Sequence, residues 1–306
     1  MQFIALLFLL MVSSFSGSKP QPNLDKYKLK GKGKEVTSTC FLAEVNNKKV
    51  VPGDFIYDGI AIDFFTTNCY LQFDQEGKLI AEGSIDKYQS AYPTYHYDYF
   101  PNGLLKEMYR IDYDGNRKVL SKYGYHDFGK IKSLTKYDDL GNKIEVSQYI
   151  YDNDQQQQKL VTALANGDTT TINLVFENNL LAEMKFEEGG VSYTYDIQGN
   201  LIEERWNLPE SNEVTVESYA YNENGLCSQS TTRHLNSEDT PISPSEHISY
   251  TYDKHKNITS LEYNEGNIKS LISFEYKYDN VGNWTELIEY WEGEPKFILT
   301  QKLVYW

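Results

Sequence analysis

The chain is poor in the residues by which catalytic and metal sites are usually recognised. Its 306 residues include three cysteines, five histidines and four methionines. There is no C-x-x-C pair, Walker loop, G-x-G-x-x-G or G-x-S-x-G, so nothing signals dithiol redox chemistry, a nucleotide cradle or a nucleophile elbow. His96, His126, His234, His247 and His255 are scattered without metal-ligand spacing. The stretch DYDGN places Asp112, Asp114 and Asn116 at alternate positions, but Arg117 stands where a calcium loop needs glycine. Any two of 44 acidic residues could meet as a glycosidase pair, yet none is singled out. The expectation is therefore a non-enzymatic protein with no cofactor, no metal and no catalytic residues. Sustained helical periodicity is also missing, and even DNDQQQQK at 152–159 reads as a polar loop, having no apolar face to bury.

What the chain has in excess is aromatic side chains. Tyrosine occurs 26 times and phenylalanine 14 times, a bias toward strands, whose pleated half-buried surface suits aromatic rings. Forty per cent of residues are hydrophobic, enough for a real core. The one long apolar run, Phe3 to Val12, is followed by Ser16 and Ser18 and is shorter than the ~20 residues that span a bilayer. Residues 1–18 thus read as a signal peptide, with no nearby cysteine for lipid attachment and no later transmembrane segment. The protein is expected to be exported, whether secreted, periplasmic or at the cell envelope.

Charge divides unevenly. Residues 19–49 carry eight lysines and three acids, an excess of five positive charges, which leaves −20 on the remainder to reach the net −15. An acidic body argues against nucleic acid as a partner. The basic arm suits either a solvated leader, a lysine-guarded edge strand or contact with an anionic surface. Cys40, Cys69 and Cys227 allow one disulfide, with Cys40 and Cys69 the nearer pair in sequence.

Residues 50–306 are organised by a repeat. Aligned on the residue after the second aromatic, LQFDQEGKL (Asp74), YHYDYFPNGLL (Asp98), TKYDDLGNKI (Asp138), YTYDIQGNL (Asp196), YAYNENGLC (Asn222), YTYDKHKNI (Asp253) and YKYDNVGNW (Asp279) are variants of one phrase, and YGYHDFGKI puts His126 in that place. Glycine stands three positions on as Gly77, Gly141, Gly199, Gly225 and Gly282, and the unit at Asp98 reads as a longer turn through Pro101 to Gly103. Aromatics two apart share one face of a strand. An Asp or Asn bonds the backbone ahead of it, and a glycine three residues later accepts the left-handed conformation that closes a turn. Each phrase is strand, turn, strand. Between them Asp114-Gly115, Asn166-Gly167, Asn178-Asn179, Gly189-Gly190, Glu265-Gly266 and Glu292-Gly293 read as tight hairpins of another kind.

The expected fold is all-β: an antiparallel up-and-down meander of about 18 strands, too many for one flat sheet, that curls into a spiral, an arch or a barrel-like wall. From the alternation of turns, those at 196, 222, 253 and 279 belong at one end of the sheet and that at 138 at the other. The last strand, KFILTQKLVYW, is apolar at both parities and is expected to be covered on both sides.

The phrase Y-x-Y-D-x-x-G at 193–199, 219–225 and 276–282 resembles the YD repeat of the RHS/YD family, over most of residues 70–290. The resemblance implies a spiralling or shell-like β-sheet and a scaffold that binds a carbohydrate or protein partner. A role in a polymorphic toxin system, as immunity-like partner or remnant shell, is the alternative. Short length and an Asn that often follows the glycine set the chain nearer to small exported members than to large toxins. The candidate binding surface is then the tyrosine face: Tyr193, Tyr195, Tyr219, Tyr221, Tyr250, Tyr252, Tyr276, Tyr278 and Trp284, though Trp284 equally suits a core.

Overall fold

The computed structural model describes residues 29–56, 68–88, 90–208 and 213–306. The signal segment of residues 1–18 lies outside the described residues. Within them the chain forms strands joined by turns, with no helix. The strands are β1 (Gly33–Asn46), β2 (Lys49–Phe55), β3 (Cys69–Phe73), β4 (Leu79–Ile85), β5 (Ala91–Tyr99), β6 (Leu105–Ile111) and β7 (Arg117–Tyr125). They continue as β8 (Ile131–Tyr137), β9 (Lys143–Tyr151), β10 (Gln157–Leu164), β11 (Thr169–Glu177), β12 (Leu180–Phe186), β13 (Gly189–Tyr195) and β14 (Leu201–Leu208). The last are β15 (Glu213–Tyr221), β16 (Cys227–Asn236), β17 (Glu246–Tyr252), β18 (Ile258–Glu265), β19 (Ile268–Tyr278), β20 (Trp284–Trp291) and β21 (Glu294–Tyr305).

From β3 to β21 each strand pairs antiparallel with the next, the expected meander. The wall then closes. β1 pairs with β21 from Gly33–Tyr305 to Leu42–Phe297 and, on its other edge, with β3 from Glu35–Gln72 to Ser38–Cys69. The result is a barrel of 20 strands, with β2 appended as a hairpin on the far half of β1. The basic arm is therefore neither a leader nor an edge strand where β1 lies between β21 and β3, at Glu35–Ser38. Val36, Ser38, Thr39 and Cys40 are buried there and beside it, an interior part of the sheet. A domain boundary at residue 49 would cut the β1–β2 hairpin.

Side chains alternate between two faces. One carries the tyrosines and the apolar clusters. Cys40, Phe274, Leu287, Phe297 and Leu299 form one cluster, Val36, Cys69, Leu71, Phe73 and Leu79 a second, and Leu174, Leu181, Met184, Val191 and Tyr193 a third. Each is drawn from neighbouring strands along the wall, and none joins opposite sides of the ring. The other face is wet, as at Lys277, which pairs with Glu286 across the β19–β20 ladder at 2.5 Å. There Val214, Val216 and Leu235 form a small exception, beside the segment after β16 that turns back so that Pro241 bridges Leu235. Coverage on both sides of β21 holds for Phe297, Ile298 and Leu299 only, and Val304 is exposed.

One turn recurs throughout. Its first residue accepts from the amide three positions on and donates to the carbonyl four positions on, as in Gly199 to Asp196 (3.0 Å) and Asp196 to Asn200 (2.9 Å). An Asp or Asn in first place adds two bonds, its Oδ1 accepting from the amides two and four residues ahead. This occurs at Asp74, Asp86, Asp112, Asp138, Asp152, Asp196, Asn222, Asn236, Asp253 and Asp279. The turns at 74, 196, 222, 253 and 279 follow odd-numbered strands and lie at one end of the barrel; those at 112 and 138 follow even-numbered strands and lie at the other.

Several assignments shift. Asp98 is not a turn residue: it lies in β5, and Phe100 takes first place in a turn of ordinary size, bonded to Gly103 and Leu104. Asp114-Gly115 belongs to the recurrent turn begun by Asp112, so it is not of another kind. Asn166-Gly167 falls in the same frame, begun by Leu164. The polar loop at 152–159 contracts to the Asp152 turn, and β10 starts at Gln157. Gly189 and Gly190 lie in β13, with the reversal made by residues 187 and 188. The two-residue hairpins that remain include Asn178-Asn179 and Glu292-Gly293, all four residues with positive φ.

Gly199 shows what the fourth turn position demands. Its φ is +86°, yet a Cβ there would meet nothing within 4 Å, so glycine is required by conformation and not by space. Lys256 occupies the equivalent place at φ 70°. Gly199→Ala is expected to destabilise the barrel by about 1–2 kcal/mol and Lys256→Gly to recover part of a similar cost, both read as shifts of the chemical denaturation midpoint.

Candidate binding surfaces

The tyrosine face was the sequence's candidate surface, and its hydroxyls are spent inside the wall. Tyr221 donates to the carbonyl of Leu201 (2.6 Å), Tyr252 to Cys227 (2.6 Å), Tyr195 to Leu181 (2.9 Å) and Tyr276 to Ile258 (2.8 Å). Tyr99 and Tyr125, outside the nine, do the same to Leu79 (2.7 Å) and Leu105 (2.8 Å). In each case the ring at the end of one hairpin reaches the first residues of the preceding strand. Turns that are 20 or so residues apart are thereby stitched side by side along one rim.

Of the remaining candidates all but Tyr193 are engaged as well. The Tyr219 hydroxyl lies between Glu204 and Glu217, 2.7 Å from each carboxyl. Tyr250 meets Ser230 at 3.3 Å, and Tyr278 is bonded to Asp253 and Asn257. Trp284 packs against the Cys40–Phe274–Leu287 cluster, the core alternative. Tyr193 is 6% exposed and its hydroxyl has no hydrogen-bond partner among the described residues. This face is a set of structural ties, and a ligand stacking on it would find few free donors.

At the last two turns the tie becomes a clasp. Asn283 is buried; its Oδ1 accepts from the Lys30 amide (2.7 Å), and its Nδ2 donates to the Lys30 carbonyl (2.9 Å) and to Tyr305 Oη (2.7 Å). Tyr305 in turn donates to Asp279. Lys30 Nζ donates to the Gly282 carbonyl at 3.2 Å, while His255 stacks on Tyr278 at 4.1 Å. The chain just before β1 is thus held to the turn between β19 and β20. Trp306 completes the seam, its indole donating to the Asp74 carbonyl (3.2 Å) on the far side of β1. The triplets Asn257-Ile258-Thr259 and Asn283-Trp284-Thr285 lie inside these ties, which leaves neither asparagine free to carry a glycan.

Chemistry is sparse elsewhere. All three cysteines are free thiols, and burial pushes Cys40 and Cys69 up to about 11, so they are inert small hydrophobes at neutral pH. The histidines stack or cap: His96 on Tyr109 and His126 on Phe128, while His234 meets Thr215 and His247 meets Thr231. Among the described residues no group of three or more His, Cys, Asp or Glu is arranged to hold a metal.

Sequence reasoning passed over the turn tips. Tyr88, Tyr113 and Leu140 stand at the tips of three successive turns at the same end of the barrel, and all are largely or fully exposed. Two strands separate neighbouring tips, a spacing of roughly 10 Å. For Tyr113 and Leu140 the signal was present, since an apolar residue inside a D-x-x-G turn has no packing reason to be there. Other exposed apolar residues lie at turns or chain ends, such as Ile197, Val281 and Trp306, and within strands, such as Ile150 and Leu271. No helix among the described residues is long and apolar enough to cross a membrane.

No family model matches the chain, and no curated protein matches it. Among solved structures it is similar to a chain in a TcdB2–TccC3–Cdc42 crystal structure, at 14% identity and a TM-score of 0.38 over 75% of its own length. It spans 14% of that larger chain. A porin-like protein from Bacteroides vulgatus matches at 15% identity and a TM-score of 0.32, covering 62% of this chain and 93% of that one. Another from Bacteroides uniformis matches at 10% identity and a TM-score of 0.34, covering 90% and 98%. At these values none of the three bears on activity, ligand or partner.

Two outcomes follow from the ties. Tyr221→Phe deletes one hydroxyl and leaves the Leu201 carbonyl short of a donor, a loss of about 1 kcal/mol in denaturant unfolding. Asn283→Ala removes three bonds at the seam and should cost roughly 2–3 kcal/mol. In limited proteolysis its cleavage should begin near Lys30, before any cut elsewhere in the wall.

Proposed function

We propose that the protein is an exported, non-enzymatic scaffold: a closed β-repeat shell, secreted or held at the cell envelope, whose rims engage a polysaccharide or protein partner. The observation that carries this reading is the commitment of polar groups. Most tyrosine hydroxyls, the turn carboxylates and the asparagine of the seam are consumed by the wall itself, whereas Tyr88, Tyr113 and Leu140 project largely exposed from one rim, with the Lys87 ammonium over the Tyr88 ring. Exposed aromatics beside Asp and Asn are the pairing that sugar rings and protein hot spots both use. Export rests on the apolar run of the first 18 residues, and the acidic balance disfavours nucleic acid.

A second reading has its own support. Barrels of about 16–18 strands already enclose an aqueous channel, and here 20 strands close with core clusters that run along the wall. Together with the YD phrase, this suits a shell or partner in a polymorphic toxin system. The tyrosine face, the more buried of the two, would then be the lumenal one.

The two readings separate by experiment. The mature chain is screened on a glycan array and against defined candidate proteins, beside a variant carrying Tyr88→Ala, Tyr113→Ala and Leu140→Ser. The scaffold reading expects at least one ligand class whose binding falls roughly tenfold or more in the variant. Empty screens, or binding indifferent to the rim, would sink it. Tight binding of a toxin domain that the rim variant retains would favour the second reading.

A further inference from the structure

An unusual row of side chains crosses the tyrosine face. Tyr193, Glu204, Glu217, Thr232, Glu246 and Glu265 stand directly opposite one another on six consecutive strands, β13 to β18. Like charges opposite each other in an antiparallel ladder repel. The row contains two such pairs, Glu204–Glu217 and Glu246–Glu265, and they are resolved differently.

At Glu246 an imidazole is at hand. His234 Nε2 lies 3.7 Å from its carboxylate, and both side chains are about one third exposed. Glu204 has neither advantage. It is 5% exposed, and the groups facing the pair include no lysine or arginine. From β13 they are Tyr193 and Tyr195, and on β14 Trp206. On β15 they are Thr215 and Tyr219, and from β16 Ser230, Thr232 and His234. Tyr250 lies beyond, on β17. His234 is turned to Thr215 and Glu246. Arg205 and Arg233, one residue from the row in their strands, project from the opposite face and pair there with Asp239 and Glu203. Tyr219 bridges the two carboxyls, its hydroxyl oxygen 2.7 Å from each, but it has one proton to give and so can donate to one of them at a time.

We propose that Glu204 and Glu217 hold one proton between them through neutral pH, and that its loss to solvent on the alkaline side loosens the β13–β16 part of the wall. Two carboxylates sharing a site cannot both ionise cheaply. Burial first, and then the charge of Glu217, raises the Glu204 carboxyl above its ordinary range against the opposing bond from Tyr219. The sign follows from linkage. A carboxyl whose folded pKa is raised contributes stability that is present below the ordinary carboxylate range and is lost as pH rises through the raised value. The turn carboxylates act the other way. Hydrogen bonding from Asn200 and Asn142 holds Asp196 and Asp138 low, so their contribution is lost as pH falls. Glu289, also buried and raised by burial, shares the sign of Glu204 and must be separated from it.

The test uses the mature full chain and its Glu204→Gln, Glu217→Gln, double and Glu289→Gln variants. Thermal midpoints are followed from about pH 5 to pH 9. The wild-type midpoint should decline toward alkaline pH, the decline should flatten in either glutamine variant of the pair, and the double variant should add little to Glu204→Gln, because one proton is at stake. Infrared spectra in the Glu289→Gln background should show a protonated carboxyl band at neutral pH that vanishes on alkalinisation. A Glu204→Gln profile parallel to wild type would overturn the proposal. Should the glutamine variants fail to fold, absence of any protonated carboxyl band in the wild-type protein at neutral pH overturns it equally.

Discussion

Everything in this molecule depends on one strand finding both of its neighbours. A meander of hairpins ending at Tyr305 leaves two unpaired edges, on β3 and on β21, and an open edge is a template for pairing with another chain. β1 removes both at once, pairing with β21 along Gly33–Leu42 and with β3 at Glu35–Ser38. The first described strand therefore completes what the last begins. Contacts between residues more than 250 apart, such as Lys30 with Asn283 and Thr39 with Thr300 (2.6 Å), carry the closure. Contacts so distant in sequence form after the loop entropy of nearly the whole chain has been lost, so the seam is slow to make and valuable once made.

Along the rest of the wall the constraint is local and repeated. The turn frame fixes register, since a one-residue slip would send every tyrosine to the wet face. The shift that follows it, as between Ala220 and Tyr221, places the tyrosine beside the preceding strand's first carbonyl. Asp, tyrosine and the left-handed residue thus act on three different bonds of one corner. Where the left-handed place holds Gln155, Asp239 or Lys256 instead of glycine, the frame persists, because the side-chain oxygen of Asp152, Asn236 or Asp253 still gathers the amides ahead of it.

The sequence was legible wherever that corner repeats. All-β class, meander order and the end at which each YD turn lies can be read from alternation and turn chemistry alone. Asp98 misled because the phrase Y-x-Y-D occurs there two residues early, and only the positive φ of Gly103 reveals Phe100 as the first turn residue. β1 was hidden by the lysine-rich stretch that leads into it and by its own composition: its buried positions include Ser38 and Thr39, small polar residues that carry no hydrophobic signal. A barrel-like wall was one of three forms the strand number allowed, but which two edges would meet could not be read, since no local pattern specifies it. The tyrosines were visible, but their purpose lies in backbone carbonyls of the preceding strand, and a sequence does not display carbonyls.

The two ways this barrel uses acidic side chains explain why its surface and its interior pull stability in opposite directions. At the rims a carboxylate is surrounded by amides that gain nothing without it, so ionisation is favoured there. On the tyrosine face Glu204 and Glu289 lie among aromatic rings, where the neutral form is favoured. Leucine in their place would avoid that conflict. What a buried carboxyl supplies and leucine cannot is a directional partner for Tyr219 and Trp291. A wall of 20 similar strands, where many registers would bury comparable apolar area, gains specificity from such polar pairings even at a cost in stability.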